Sequence, residues 1–205
     1  MSKYIPTKHD DPEVKKQSIA VKYRKEQELT AQEAIKNCPT KACAVELYAG
    51  TGGLTSIYKN EFKKVVTNDL NKNVDTMFHL KASDFIEVVL PSINKIDLID
   101  FDCYGSPALE IQTYFKVRGK KDAPFVLRFS DGFGLFLKRN KNEDAIRKRY
   151  LVEGYLPMER VWDRHAELID YLLHKLAGQN GMRAIKLTSV VTKHKNYVLG
   201  TYLFQ

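Results

Sequence analysis

Val45-Glu46-Leu47-Tyr48-Ala49-Gly50-Thr51-Gly52-Gly53-Leu54 is an apolar run that breaks into a glycine-rich turn and then resumes a helical pattern. It reads as a strand, a ligand loop and a helix. Glycines in such a turn reach backbone angles closed to other residues and let a ligand approach the main chain, while the helix that follows presents free N–H groups. A short Gly-x-Gly-Gly also serves simply to turn a chain. The reading therefore depends on what the later strand ends carry.

Working outward, residues 42–47 are the first buried strand, residues 54–58 begin a helix, and Val65-Val66-Thr67 is the second strand. That strand ends in Asn68-Asp69-Leu70-Asn71, which puts Asp69 nineteen residues after Gly50, near the spacing at which a carboxylate takes ribose hydroxyls. A carboxylate is acceptor-only and can hold two vicinal hydroxyls; an aspartate there also suits a helix N-cap. Residues 78–82 alternate as a third strand, with Ser83-Asp84-Phe85 in a loop before an apolar helix over residues 86–90. Asp84 could accept from an adenine amino group or cap that helix.

Residues 95–101 form a fourth strand and deliver Asp102-Cys103-Tyr104-Gly105-Ser106-Pro107. A helix over 108–115 and a fifth strand over 124–129 lead to Ser130-Asp131-Gly132. Open α/β sheets bind ligands beyond the carboxyl ends of their strands, so the turns after the first four strands should converge on one crevice. From Met158, apolar residues at spacings of three and four (Val161, Leu168, Ile169, Leu172, Leu173, Leu176) mark a long amphipathic helix, with Trp162 and His165 read as core or core-edge. Residues 184–191 and 197–204 are two final strands, and the short link between them implies an antiparallel pair.

The amino-terminal segment carries two helix starts. Asp11-Pro12-Glu13 is one, and the capping box Thr30-Ala31-Gln32-Glu33 is the other, so residues 11–37 are expected as two helices. Lys15, Lys16, Lys22, Arg24 and Lys25 crowd this segment, either as a solvated face or as a clamp on phosphates. Residues 1–40 are accordingly expected as a basic helical extension, and 41–205 as the catalytic domain.

Thirty-three basic against 25 acidic residues give a net charge of +8, a balance that points to an anionic partner, nucleic acid before membrane. Lys138, Arg139, Lys141, Arg147, Lys148 and Arg149 fall within thirteen residues, on the presumed ligand side, with Tyr150 and Tyr155 nearby for base stacking; this run is the expected nucleic-acid contact. Cys38, Cys43 and Cys103 are odd in number and lack metal-ligand spacing, so no metal is expected and a reducing, cytoplasmic location is. No run of 18 apolar residues suggests a membrane span, and the opening Met1-Ser2-Lys3-Tyr4 lacks the apolar core of a signal peptide.

Five strand–helix units followed by a hairpin, with polar sites after the first four strands, resemble the Rossmann-like seven-stranded, doubly wound α/β fold of S-adenosylmethionine-dependent methyltransferases. The resemblance implies that Glu46, Gly50, Thr51, Gly52 and Gly53 bind the methionine portion of the cofactor, Asp69 its ribose and Asp84 the region of its adenine, with Tyr48, Leu70 and Phe85 alongside. Tyr48 stands where the commonest family pattern has glycine, as in some RNA and DNA methyltransferases. Asp100-Phe101-Asp102-Cys103-Tyr104-Gly105-Ser106-Pro107 is similar to the Asp-x-Asp-Pro-Phe/Tyr-Gly-Ser-Pro stretch of the tRNA guanine-N2 dimethyltransferase family, and Phe129-Ser130-Asp131 to that family's later Thr-Asp. This implies an RNA methyltransferase acting on an exocyclic amine in tRNA or other RNA. Asp102 would hold the amine, Tyr104 would stack on the base, and Gly105, Ser106 and Pro107 would shape the pocket.

Two other readings stay open. Cytosine carbon-5 methyltransferases share the glycine-turn opening and carry a nucleophilic cysteine after the fourth strand, which would make Cys103 an attacking thiolate. Their Pro-Cys is Asp-Cys here, and Arg128-Phe129-Ser130 stands in place of their Glu-Asn-Val. Alternatively, the chain is an RNA-binding module that keeps the fold without turnover.

Overall fold

A computed structural model of the chain describes residues 23–134, 137, 142–153, 158–192 and 197–205. Helix α1 (Arg24–Asn37) leads into β1 (Cys43–Leu47), α2 (Thr55–Glu61) and β2 (Lys64–Asn68). Three short helical pieces, Ala82–Asp84, Phe85–Val89 and Leu90–Ser92, precede β3 (Leu98–Asp102), α3 (Ala108–Val117) and β4 (Phe125–Asp131). Helix α4 (Glu143–Tyr150), a 3-10 stretch (Met158–Arg164), α5 (His165–Gln179), β5 (Ala184–Val191) and β6 (Val198–Phe204) complete the chain.

Among the described residues the sheet has six strands in the order β2-β1-β3-β4-β6-β5. The first four are parallel, and β6 runs antiparallel to both of its neighbours. Helices cover both faces, because successive strand residues point to opposite sides. Ala44, Leu98 and Val126 pack with Ala31, Ala34 and Ile35 of α1 and with Tyr58. Val45, Ile99, Phe101, Leu127 and Phe129 pack on the other side with Ile111, Phe115, Leu172 and Leu173. The sheet is thus doubly wound, as the fold reading requires.

The expected third strand over residues 78–82 is not formed. Phe78 makes a single parallel bridge to Asn68 on the outer edge of β2. Beyond it, the Asn68 side chain takes over the ladder: its Oδ1 accepts from Leu80 N (3.1 Å) and its Nδ2 donates to Leu80 O (3.0 Å). A side-chain amide that satisfies both backbone groups removes the need for a paired strand, which leaves six strands rather than seven among the described residues.

The expected helix start at Thr30 is also displaced. α1 runs through Thr30, whose buried hydroxyl bonds back to Glu26 O and Gln27 O, both at 3.0 Å. Thr201 Oγ1 in turn donates to Thr30 O (3.0 Å), which seats the helix on β6. Residues 11–22, with Lys15, Lys16 and Lys22, lie outside the described residues.

Candidate active site

The glycine turn leaves β1 through a run of left-handed backbone: φ is 66° at Tyr48, 53° at Gly50 and 79° at Gly52. Glycine adopts these angles without cost, whereas at Tyr48 the conformation is strained by about 1–2 kcal/mol. The departure from glycine seen in the sequence therefore falls on a position where glycine would be the relaxed choice. Burial, followed by the Glu110 carboxylate of α3, pushes the pKa of the Tyr48 hydroxyl well up.

Asp69 ties the turn to the end of β2. Its Oδ2 accepts from Gly50 N and its Oδ1 from Asn71 N, each at 2.8 Å. Each oxygen keeps a second lone pair, so the carboxylate that organises the turn retains acceptors for vicinal hydroxyls. Leu70, the next residue, is 62% exposed and presents bare apolar surface beside it. Together with Tyr48, Leu80, Ala82, Ser83 and Glu110 it lines a cleft of about 320 Å³.

Glu46 lies under the turn rather than facing that cleft. It is buried, and Thr55 Oγ1 donates to its Oε2 at 2.5 Å, joining β1 to the first turn of α2. Burial, then the nearby Asp100 carboxylate, pushes Glu46 up to about 8. Phe85 is likewise closed into the core. Asp84 ends a one-turn helix instead of lying in a loop; it is exposed and takes a hydrogen bond from Ser83 Oγ at 3.3 Å.

At the end of β3 the chain carries a buried polar row into an open carboxylate. Glu46, Asp100, Arg128 and Thr201 stand abreast across β1, β3, β4 and β6. Arg128 Nη1 is 2.7 Å from Asp100 Oδ1, its Nε donates to Thr30 Oγ1 at 3.0 Å, and Tyr58 donates to Asp100 Oδ2 at 2.6 Å. The ion pair holds the guanidinium charged, while burial raises Asp100 to about 6. One step further along β3, Asp102 lies 3.4 Å from Arg128 Nη1 and accepts from Ser130 Oγ; its side chain keeps 16% exposure.

The amino-terminal helix reaches this carboxylate. Gln27 Nε2 donates to both Asp102 oxygens, at 3.0 and 3.2 Å. One turn earlier Arg24 donates to Gly53 O at 2.9 Å, its guanidinium lying against the bare Cα face of Gly53, and pairs with Glu28 at 2.5 Å. Three tyrosines frame the mouth. Tyr104 is 42% exposed. Tyr197 donates to Tyr104 O at 3.5 Å and stacks at a tilt on Tyr23, with centroids 5.4 Å apart. Gln27, Arg24, Tyr23 and Tyr197 carry no local motif, and only the packing of α1 and the hairpin over the sheet brings them here.

The Gly105-Ser106-Pro107 turn is held from behind. Ser106 Oγ donates to Asp131 Oδ2 at 2.9 Å and accepts from Ala108 N, the first residue of α3, at 3.3 Å. Tyr150 donates to Asp131 Oδ2 at 3.1 Å, and His165 Nε2 is 3.1 Å from Asp131 Oδ1. Gly132 N donates to Gly105 O at 2.7 Å, and a Cβ at Gly132 would sit 2.1 Å from Tyr104 O. That close approach is why glycine follows Asp131.

Only part of the basic run falls among the described residues. Lys138, Arg139, Lys141 and Tyr155 lie outside the described residues. Arg147 pairs with Glu143 at 2.7 Å, Arg149 stacks 4.5 Å from the Phe133 ring centroid and reaches Ser106 O at 3.4 Å, and Lys148 is exposed. Tyr150, expected as a stacking platform, is fully buried beside Asp131 and cannot serve as one. Cys103 is also buried. Its Sγ lies 3.6 Å from Ser130 O, and burial, with the Asp131 carboxylate next, pushes the thiol well above its ordinary value.

Among the described residues no group of three or more His, Cys, Asp or Glu could hold a metal ion, and no helix is long and apolar enough to cross a membrane. The sequence matches no protein-family model and no curated protein. The fold does match solved structures. SMU.1697c of Streptococcus mutans, described as a methyltransferase and solved in complex with SAH, superposes with a TM-score of 0.54 over 87% of this chain and 97% of that one at 12% identity. The N-methyltransferase NodS of Bradyrhizobium japonicum WM9, in complex with S-adenosyl-L-homocysteine, gives 0.50 over 97% and 91% at 14% identity. The chain has the fold of S-adenosylmethionine-dependent methyltransferases.

Proposed function

We propose that this chain is an S-adenosylmethionine-dependent methyltransferase acting on the exocyclic amine of a nucleic-acid base, guanine N2 in tRNA or other RNA. The observation that carries the reading is Asp102. It is a carboxylate at the carboxyl end of a central strand, partly open, anchored by Ser130 and Arg128 and framed by Tyr104, Tyr197 and Tyr23. The chain's own residues fit the cofactor. The left-handed glycine turn, the spare lone pairs of Asp69, the bare Leu70 and an unpaired Glu110 oxygen line one side of the crevice. Arg24, over Gly53, offers a cation for the carboxylate of the methionine portion.

When bound, the cofactor supplies an already activated methyl group, so no metal is required. The protein's task is positional. An amine conjugated to its ring is a poor nucleophile, and Asp102 orients it by accepting its N–H and takes up the proton as positive charge develops. The tyrosines offer π-faces to a base drawn out of its stack. Gln27 occupies the Asp102 oxygens in this structure, and an incoming amine would replace it there. The +8 charge and exposed Lys148 support a polyanionic substrate. The cytosine carbon-5 reading is disfavoured by Cys103, a buried thiol held protonated by its surroundings.

The test is mass spectrometry of nucleosides from tRNA, ribosomal RNA and DNA incubated with the protein and labelled cofactor. Label is expected on guanine N2. Asp102→Ala should reduce incorporation by roughly 100-fold or more, while Cys103→Ser retains most of it. Label at carbon 5 of cytosine, lost in Cys103→Ser, would overturn the proposal.

A further inference from the structure

Burial has left two side-chain polar atoms unpaired among the described residues, Glu110 Oε2 and His165 Nδ1. The second belongs to a core histidine whose other nitrogen is engaged by Asp131 and Tyr150. The first lies at the cleft. Glu110 is in the first turn of α3, beside the Asp102 turn, and lines the cleft together with Tyr48, Leu70, Leu80, Ala82 and Ser83. A buried carboxylate oxygen with no donor is costly, and the chain adds a further cost in the left-handed backbone of Tyr48, which lines the same cleft. Strain and an unpaired acceptor at one wall of one cleft are what a binding site leaves behind when its ligand is absent.

Resting on the methyltransferase reading, we infer that Glu110 is the acceptor for the exocyclic amino group of the cofactor's adenine. The chemistry of the wall selects that ligand. Leu70, Leu80 and Ala82 offer apolar surface for a flat ring, and Glu110 offers an acceptor-only group that calls for an N–H donor. The neighbouring Asp69 fixes where a ribose would lie, so the ring attached to it extends toward Leu70. Asp84, the acid that the sequence nominates for this role, is exposed and does not line the cleft; Ser83 does.

Calorimetry with S-adenosylhomocysteine and with its 6-deamino analogue, which lacks only the amino group, tests this without turnover. The native chain should prefer the amine by about tenfold or more, because a hydrogen bond to a charged acceptor is at stake. Glu110→Ala should lose that preference, by weakening the homocysteine compound while leaving the deamino analogue within about twofold. Glu110→Gln keeps the shape and one acceptor oxygen and should fall between, which guards against a variant that fails to fold. Equal affinity of the native chain for the two compounds, or an undiminished preference in a folded Glu110→Ala, would overturn the inference while leaving the cofactor reading intact. Failure of the native chain to bind either compound would overturn both.

Discussion

The two ends of the parallel sheet both carry buried acids, and they treat them in opposite ways. At the amino end, Asp97 accepts from Thr40 Oγ1, Ala42 N and Cys43 N at 2.7 to 3.0 Å. Asp122 accepts from Arg118 Nε and Nη2, Ile96 N and Tyr114 OH, and the remaining Arg118 nitrogen goes to Leu90 O and Ile93 O. Each oxygen of both carboxylates has a donor from the chain itself, four donors on Asp122 and three on Asp97. At the carboxyl end, Asp102 keeps an open edge, Glu110 keeps an unpaired oxygen, and burial, with neighbouring carboxylates adding to it, pushes Glu46 and Asp100 up to about 8 and about 6. The same residue types therefore do different work. Saturation suits acids that hold the fold, and on the proposed reading the incompletely satisfied acids are those kept for a ligand.

The largest expected effect is at the saturated end. Asp122→Ala leaves the Arg118 guanidinium buried with carbonyl partners only, and breaking such a pair costs about 3–5 kcal/mol. Urea unfolding should show that loss, whereas affinity for S-adenosylhomocysteine in the surviving folded fraction stays unchanged. A variant as stable as the native chain would erase the contrast between the two ends.

The next effect is a pH dependence from the crowded end. Glu46 has its pKa raised from 4.5 to about 8 by burial first and Asp100 second. Below pH 4.5 it is protonated in both folded and unfolded chains. As pH rises toward 8 the unfolded chain releases the proton and the folded chain keeps it, so this group's support is lost with rising pH. Glu46→Gln, neutral throughout, should flatten the fall in melting temperature between about pH 5 and pH 8. A fall as steep as the native chain's would place the titration elsewhere.

These contrasts were only partly open to sequence reading. The glycine turn, Asp69 and Asp102 were legible because each follows a strong apolar run within a few residues, and the hairpin because its link is short. The alternation at 78–82 carries the pattern of a third strand but says nothing about the Asn68 amide that closes its ladder from across the turn. Likewise, the capping-box pattern at Thr30 predicts a helix start, but sequence does not show that Arg128 and Thr201 engage that threonine in mid-helix. Gln27, Tyr197 and Glu110 were invisible to local pattern. Their roles come from contacts such as Gln27 with Asp102, 75 residues apart. Tyr48 stands out in the sequence as a departure from glycine, whereas its left-handed backbone is visible only in the fold.

The smallest effect separates activity from stability at a single atom. Asp102→Asn removes one negative charge from the polar row while preserving shape, and Arg128 still has Asp100 at 2.7 Å, Thr30 at 3.0 Å and Ser130 at 3.4 Å. No buried cation is stranded, so stability near pH 5 should change by no more than about 1 kcal/mol. Asp102 is one of the charges that raise both Glu46 and Asp100. Its removal lowers their folded-state pKa values, and the loss of stability toward pH 8 should become shallower than in the native chain. The variant would then be the more stable protein at pH 8 and the inactive one, with S-adenosylhomocysteine still bound through the turn and Asp69. Paired urea titrations at pH 5 and pH 8 read this directly. A steeper loss in Asp102→Asn would mean that Asp102 supports its neighbours rather than crowding them, and the carboxyl end would then resemble the saturated end of the sheet.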